Sequence, residues 1–224
     1  AARTRRPVIQ ITRGALLAAE ICVMGTGFTI LGLVESHAVF AAYPLLVAAL
    51  SGPILGERVG WRRWVAIGVG FVGVLFILKP GLGVFNPAAI IPLIAAVMFA
   101  TYGLLTRYVA QDDTTAPSYF WTGTVGALVM TGVGLWFWES MTALDWLWMG
   151  ALCMPGSLGH WLLIRCYEVA EASAVQPFAY FQMVFAAGVG IMVFGEALQI
   201  NVLVGALIVV GAGLFTLWRE RRQG

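Results

Sequence analysis

Hydrophobic and polar positions along this chain alternate on the scale of whole helices. Eight apolar stretches run roughly over 14–34, 37–55, 62–79, 88–109, 118–138, 144–167, 173–194 and 200–218. The breaks between them carry charge or turn chemistry: Glu35-Ser36-His37, Gly56-Glu57-Arg58, Lys79-Pro80-Gly81, Gln111-Asp112-Asp113, Glu139-Ser140, Glu168 to Glu171, and Gly195-Glu196. Most stretches approach the roughly 20 residues that cross a bilayer core as a helix. None shows the two-residue alternation of a membrane barrel strand, and an open strand in lipid leaves its edge N–H and C=O groups unpaired. The pattern therefore predicts an all-α membrane protein with eight transmembrane helices.

Composition agrees: 60% of the residues are hydrophobic, 11% are charged, and the mean hydropathy is +0.88. A soluble domain needs more charge than this to keep its surface wet. Placement of the basic residues predicts the orientation. With eight crossings, Arg3, Arg5, Arg6, Arg13, Arg58, Arg62, Arg63, Arg107, Arg165, Arg219, Arg221 and Arg222 fall on one side and Lys79 falls alone on the other. The positive-inside rule then puts both termini in the cytoplasm and the protein in the cytoplasmic (inner) membrane. Tryptophan gives an independent check, because every Trp except Trp161 lies near a predicted span end, at headgroup level. Cys22, Cys153 and Cys166 sit inside apolar stretches without metal-type spacing, so neither a metal site nor a disulfide framework is expected.

The chain also repeats itself. Glu35-Ser36-His37-Ala38-Val39 resembles Glu171-Ala172-Ser173-Ala174-Val175, and each opens an apolar helix that ends in Gly-Glu, at Gly56-Glu57 and Gly195-Glu196. A Gly-rich span follows each. Residues 35 and 171 are 136 apart, and residues 57 and 196 are 139 apart, which leaves a short insertion between the copies. Span 14–34 runs outward and its counterpart 144–167 runs inward, as an inverted-topology repeat requires. A complete second copy spans five helices within 88–218, whereas the first copy shows three within 14–79. Two helices are therefore expected to precede residue 1; the alternative is an eight-helix protein with its initiator Met removed.

These residues carry a family likeness. Ala38-Val39 through Pro44 to Gly56-Glu57, and Ala174-Val175-Gln176-Pro177 through Gly195-Glu196, each followed by a Gly-rich helix, resemble the EamA-domain branch of the drug/metabolite transporter superfamily. The resemblance covers essentially the whole chain, aligned to that family's third to tenth helices. It implies a 5+5 inverted-repeat bundle of ten helices around a central cavity that opens to one side at a time. It implies a small-molecule substrate such as an amino acid, nucleotide or vitamin, is compatible with proton coupling and with a homodimer, and calls for neither nucleic acid nor a cofactor.

Ionisable groups within a span are costly and mark candidate chemistry. Glu20 in 14–34 and His160 in 144–167 fall at similar depth when the repeats are aligned, an arrangement suited to sharing a proton or gripping a charged substrate. A structural role is the alternative: Glu20 facing Arg13 or water, and His160 bonding a backbone carbonyl. Pro155-Gly156-Ser157-Leu158-Gly159-His160 is the least helix-like run in any span, read equally as a broken helix that builds a site or as a simple kink with tight helix packing. Tyr43, Tyr102, Trp161, Gln176 and Tyr180 add aromatic and amide groups away from the span ends. With Glu20 and His160 they make up the expected substrate-binding set, a largely apolar pocket with a few fixed polar groups. Glu57 and Glu196 read as structural helix ends.

A secondary carrier fits best. The chain has no GxxxxGK[ST] phosphate loop and no soluble stretch large enough to bind ATP. Enzymatic activity is not expected. Ser157 and His160 do not form a G-x-S-x-G elbow, since Pro155 takes the first position, and H-E-x-x-H is absent. A pore or a structural membrane subunit is the remaining alternative, and saturable flux separates a carrier from both.

Overall fold

A computed structural model describes residues 2–57, 60–78, 87–179, 181–197 and 199–220. Every regular element among them is helical. In chain order these are α1 (Pro7–Leu31), α2 (Leu33–Phe40), α3 (Tyr43–Leu55), α4 (Trp61–Leu78), a 3-10 turn (Pro87–Ala89) leading into α5 (Ile90–Val109), α6 (Thr115–Trp136), α7 (Ala143–Val169), α8 (Ala172–Ala179), α9 (Phe181–Phe194) and α10 (Ile200–Glu220). Each of the eight apolar stretches is helical over most of its described length. Five runs are long and apolar enough to cross a membrane: Pro7–Leu31, Leu33–Leu55, Pro87–Val109, Ala143–Val169 and Ala172–Phe194. Their outer surface suits lipid. Met192, Trp136 and Leu135 are 86%, 84% and 77% exposed, which water would penalise and acyl chains do not.

One local expectation needs correction and one open alternative is narrowed. The first break falls at Gly32, not at Glu35-Ser36-His37. Gly32 takes φ 82°, and the three polar residues lie within α2. The stretch around Pro155 is not broken: α7 runs continuously from Ala143 to Val169 with Pro155 inside it. A proline inside a span removes one backbone bond, a loss that a long helix with intact neighbouring turns tolerates. Helix α6 ends at Trp136, within a few residues of the expected span end.

The described helices divide into two compact units. The first contains residues 1–18 and 105–170, with α6 packed on α7. A capping box starts α7: Asp145 N–H donates to Thr142 Oγ1 at 3.3 Å, and Thr142 N–H donates to the Asp145 carboxylate at 2.8 Å.

The second unit contains residues 19–104 and 171–224. Its most extensive packing is α4 on α10, where Gly73 lets the backbones approach; a Cβ there would lie 2.8 Å from the Gly205 carbonyl oxygen. α2 packs on α9 and α3 on α8, so the 33–55 and 172–194 helices run antiparallel. Val34, Ala38, Val39, Ala89 and Val202 form one buried cluster, and Ala41, Ala42, Leu45 and Val209 form another. The 33–55 helix is interrupted because Pro44 has no N–H for the Phe40 carbonyl. The chain tightens there, with Ala42 N–H bonded to Val39 O and Leu45 N–H bonded to Ala42 O, both at 3.1 Å.

Candidate functional site

In the second unit a row of rings runs through the interior. Phe28 stacks on His37 at 5.0 Å, Phe40 meets Tyr43 at 4.9 Å, Tyr43 meets Phe99 edge-on at 4.8 Å, and Phe99 meets Tyr102 at 5.8 Å. The turn at Ala41-Ala42 positions this row, because it rotates Tyr43 relative to Phe40 between α2 and α3. His37, Phe40, Tyr43, Pro44, Ala179 and Gln182 line a cavity of about 10 Å³. That volume admits about one water molecule and no metabolite.

Of the expected residues, Tyr43 and Tyr102 belong to this row and are joined through Phe99. Tyr102 is fully buried. Gln176 is buried in α8, where its Nε2 donates to Ala172 O at 2.7 Å. Glu20 is buried in the same unit, in α1. Tyr180 lies outside the described residues. His160 and Trp161 stand in the first unit, on α7. His160 is half-buried and feels the positive charge of Arg13, whereas Trp161 is 41% exposed. Trp161 lines an open apolar groove of about 770 Å³ with Tyr119, Phe120, Thr124, Leu128 and Thr131.

Sequence reasoning missed several groups. Phe28, His37, Phe40 and Phe99 are central to the ring row; the i, i+3 spacing of His37, Phe40 and Tyr43 was a signal for the first part of it, and no pattern singles out Phe28 or Phe99. In the first unit Arg13 is completely buried. Its guanidinium donates to Gln10 Oε1 at 2.7 Å, to Thr106 Oγ1 at 3.0 Å, and to Ser118 O. Gln10 Nε2 passes the network on to Asp113 and to Ser118 Oγ, at 3.0 and 3.1 Å. Asp113 also accepts from Thr4 Oγ1 and Arg5 N–H. Burial alone would push the Asp113 carboxyl up; these hydrogen bonds prevail and hold it below its usual value.

A matched polar geometry stands at the two ends of the antiparallel pair. Gly56 and Gly195 take φ 72° and 66° and end α3 and α9 with left-handed caps. The next residue is a glutamate each time, and its N–H returns to a carbonyl six residues back: Glu57 to Ser51 at 3.4 Å, Glu196 to Gly190 at 3.0 Å. Each carboxylate then reaches the N-terminus of the other helix. Glu57 accepts from Ala172 and Ser173 N–H at 3.0 and 3.4 Å, and Glu196 accepts from Leu33 and Val34 N–H at 2.6 and 2.7 Å. A carboxylate on two first-turn N–H groups satisfies otherwise unpaired donors and meets the positive end of the helix dipole. The arrangement pairs helices from opposite halves of the sequence at both ends.

The profile of the EamA-like transporter family matches residues 86–218. The chain belongs to the EamA-like transporter family. This EamA-family protein is 28% identical over 223 residues to the S-adenosylmethionine uptake transporter of Rickettsia prowazekii (strain Madrid E), covering 100% of this chain and 76% of that one. It is 29% identical over 195 residues to the riboflavin transporter of Vibrio cholerae, covering 84% of this chain and 64% of that protein. A solved crystal structure aligns at TM-score 0.71 over 99% of this chain and 79% of the other, with 19% identity, a likeness of fold alone. Family membership and several membrane-length apolar helices make this a multi-pass membrane protein of a transporter family. Relatives named for metabolite transport support a small-metabolite transporter.

Proposed function

We propose that this EamA-family protein is a secondary carrier that moves a nucleotide- or vitamin-like metabolite across the cytoplasmic membrane by alternating access. The observation that carries the reading is the small ring-lined cavity of about 10 Å³ in the second unit, beside an antiparallel helix pair bonded at both ends. A site too small for any metabolite has to open to take one up, and a helix pair held at both ends matches an occluded state. S-adenosylmethionine and riboflavin each present a flat nitrogen heterocycle joined to a hydroxyl-bearing sugar or sugar-derived group. Rings such as Phe40, Tyr43, Phe99 and Tyr102 suit the first, and amides such as Gln176 suit the second. Tyr43, Tyr102 and Gln176 are assigned to substrate binding on this basis. Glu20, His160, Trp161 and Tyr180 are further candidates for substrate contact as ionisable or amphipathic groups inside spans, with Glu20 and His160 the candidates for proton coupling. The two halves of the sequence are read as inverted repeats, 14–79 and 88–218, supported by the antiparallel pairing of their Gly-Glu helices. The arginine asymmetry supports a cytoplasmic location for the Glu57 end.

The test is uptake of radiolabelled S-adenosylmethionine and of riboflavin into vesicles containing the protein, at two pH values. Saturable uptake of one compound, blocked by its unlabelled form and reduced by Tyr43→Ala, is expected. Flux that rises linearly with every solute offered would mean a pore. His160→Ala is expected to remove the pH dependence while the protein still inserts and melts cooperatively.

A further inference from the structure

We propose that Glu57 and Glu196 are paired end clamps whose alternate release decides which face of the carrier opens, an inference that rests on the alternating-access reading. Each clamp is built from the same parts: a helix ended by a left-handed glycine, a glutamate immediately after it, and two first-turn N–H groups of the partner helix. Because the two helices run antiparallel over 33–55 and 172–194, the clamps lie about 35 Å apart at 1.5 Å per residue, one at each end. A simple helix cap needs no such reciprocity, since a local Ser, Thr or Asp satisfies a first turn as Thr142 does on α7. Here the side chain of Gly32 is absent and no local cap is made on α2, so the stability of that end depends on the distant Glu196.

Two further observations fit release rather than permanent closure. The hydroxyls of Ser36 on α2 and Ser173 on α8 are buried without a hydrogen-bond partner, one on each helix whose N-terminus is clamped. An orphan buried hydroxyl destabilises the closed form and is satisfied once an end admits water. The clamps are also unequal, with donor distances of 2.6 and 2.7 Å at Glu196 against 3.0 and 3.4 Å at Glu57. The Glu57 end therefore opens more readily. Both glutamates are positioning residues: they act on the site by holding helices, without touching substrate.

The experiment uses the full chain in vesicles of both orientations, with Cys22, Cys153 and Cys166 replaced by serine and Ala179→Cys as a reporter in the cavity wall. A membrane-impermeant maleimide reads access to the reporter from each side, and saturable uptake is measured on the same vesicles. Glu57→Gln is expected to raise the ratio of labelling from the Glu57 face to the opposite face by about tenfold, the loss of charge-assisted bonds at one end. Glu196→Gln shifts the ratio the other way, and the double variant returns it towards that of the parent. Glu196→Asp, which keeps the charge but shortens its reach, shifts the ratio in the same direction as Glu196→Gln and by less. Equal shifts from both single variants, or an unchanged ratio beside a lowered melting temperature, would overturn the clamps and leave plain helix caps. If uptake stays saturable in that case, the carrier reading survives without them; linear uptake in the parent would remove the carrier reading itself.

Discussion

The two ends of the antiparallel helix pair use the same chemistry with different tightness. At the Glu196 end the carboxylate sits against Gly32, where a Cβ would lie 2.9 Å from Glu196 Oε1, and against Gly190, where a Cβ would lie 3.2 Å from Oε2. At the Glu57 end the positions that correspond to Gly32 and Gly190 are Glu171 and Ser51, so no pair of glycines receives that carboxylate, while Gly56 and its counterpart Gly195 both have open space where a side chain would be. Gly32 also adopts φ 82°, ψ 174°, a region that only glycine occupies readily, whereas Gly56 adopts φ 72°, ψ 13°, the ordinary left-handed well. One end is a fitted socket and the other is a loose contact. A symmetric sequence motif has therefore produced an asymmetric pair of joints, which gives a carrier a preferred side from which to open.

The largest expected effect tests the socket. Gly32→Ala adds backbone strain and displaces the carboxylate, and about 4 kcal/mol of stability is expected to be lost, read as a large fall in melting temperature in detergent. Gly56→Ala is expected to cost about 1 kcal/mol, since its left-handed φ is the only penalty. Comparable losses at the two glycines would erase the distinction between the ends.

A smaller effect comes from the carboxylates. Glu196→Gln is expected to cost about 2 kcal/mol and Glu57→Gln about 1 kcal/mol, because the shorter pair of charge-assisted bonds is the stronger. Thermal melts of both variants check the order, and a reversed order would contradict the geometry.

How far the sequence reveals this arrangement depends on the range of the interaction. The apolar stretches are legible because their length and bounding charges report on lipid. The Gly-Glu landmarks are legible as helix ends. Their partners are not: Glu57 and Ala172 are 115 residues apart, and Glu196 and Leu33 are 163 apart, beyond any local pattern. The same limit explains the misplaced breaks. Glu35, Ser36 and His37 read as a polar break, yet α2 carries them inside, with Ser36 buried and His37 Nδ1 bonded to Leu33 O at 3.0 Å. Pro155 reads as a breaker, yet α7 passes through it. The real interruption at Ala41-Ala42 is written in helix-favouring alanines and caused by Pro44 downstream. In the candidate site, Tyr43, Tyr102 and Gln176 were visible as polar groups in mid-span, whereas Phe99, which joins the tyrosines, looks in sequence like any other core residue.

The smallest expected effect lies outside the clamped pair and serves as its reference. The Asp113 carboxyl is held below its usual value, so its bonds to Thr4, Arg5 and Gln10 stabilise the first unit fully above about pH 4, and that contribution is lost as pH falls through the folded-state value. Asp113→Asn is expected to lower stability at neutral pH by about 1 kcal/mol and to flatten the acid side of the stability curve. Because the network involves neither glutamate clamp, the labelling ratio at Ala179→Cys should not move; a shift there would mean that access is set by something other than the clamps.

The most direct measurement is a pair of spin-label distances in the full chain, Ile54→Cys with Glu171→Cys at the Glu57 end and Ile30→Cys with Phe194→Cys at the Glu196 end, with the native cysteines replaced by serine. The clamps predict a closed distance at both ends as the shared component, and an additional longer distance that Glu57→Gln enriches at the Glu57 end only and Glu196→Gln enriches at the Glu196 end only. Both ends lengthening together in either variant, or neither lengthening in both, would contradict the account.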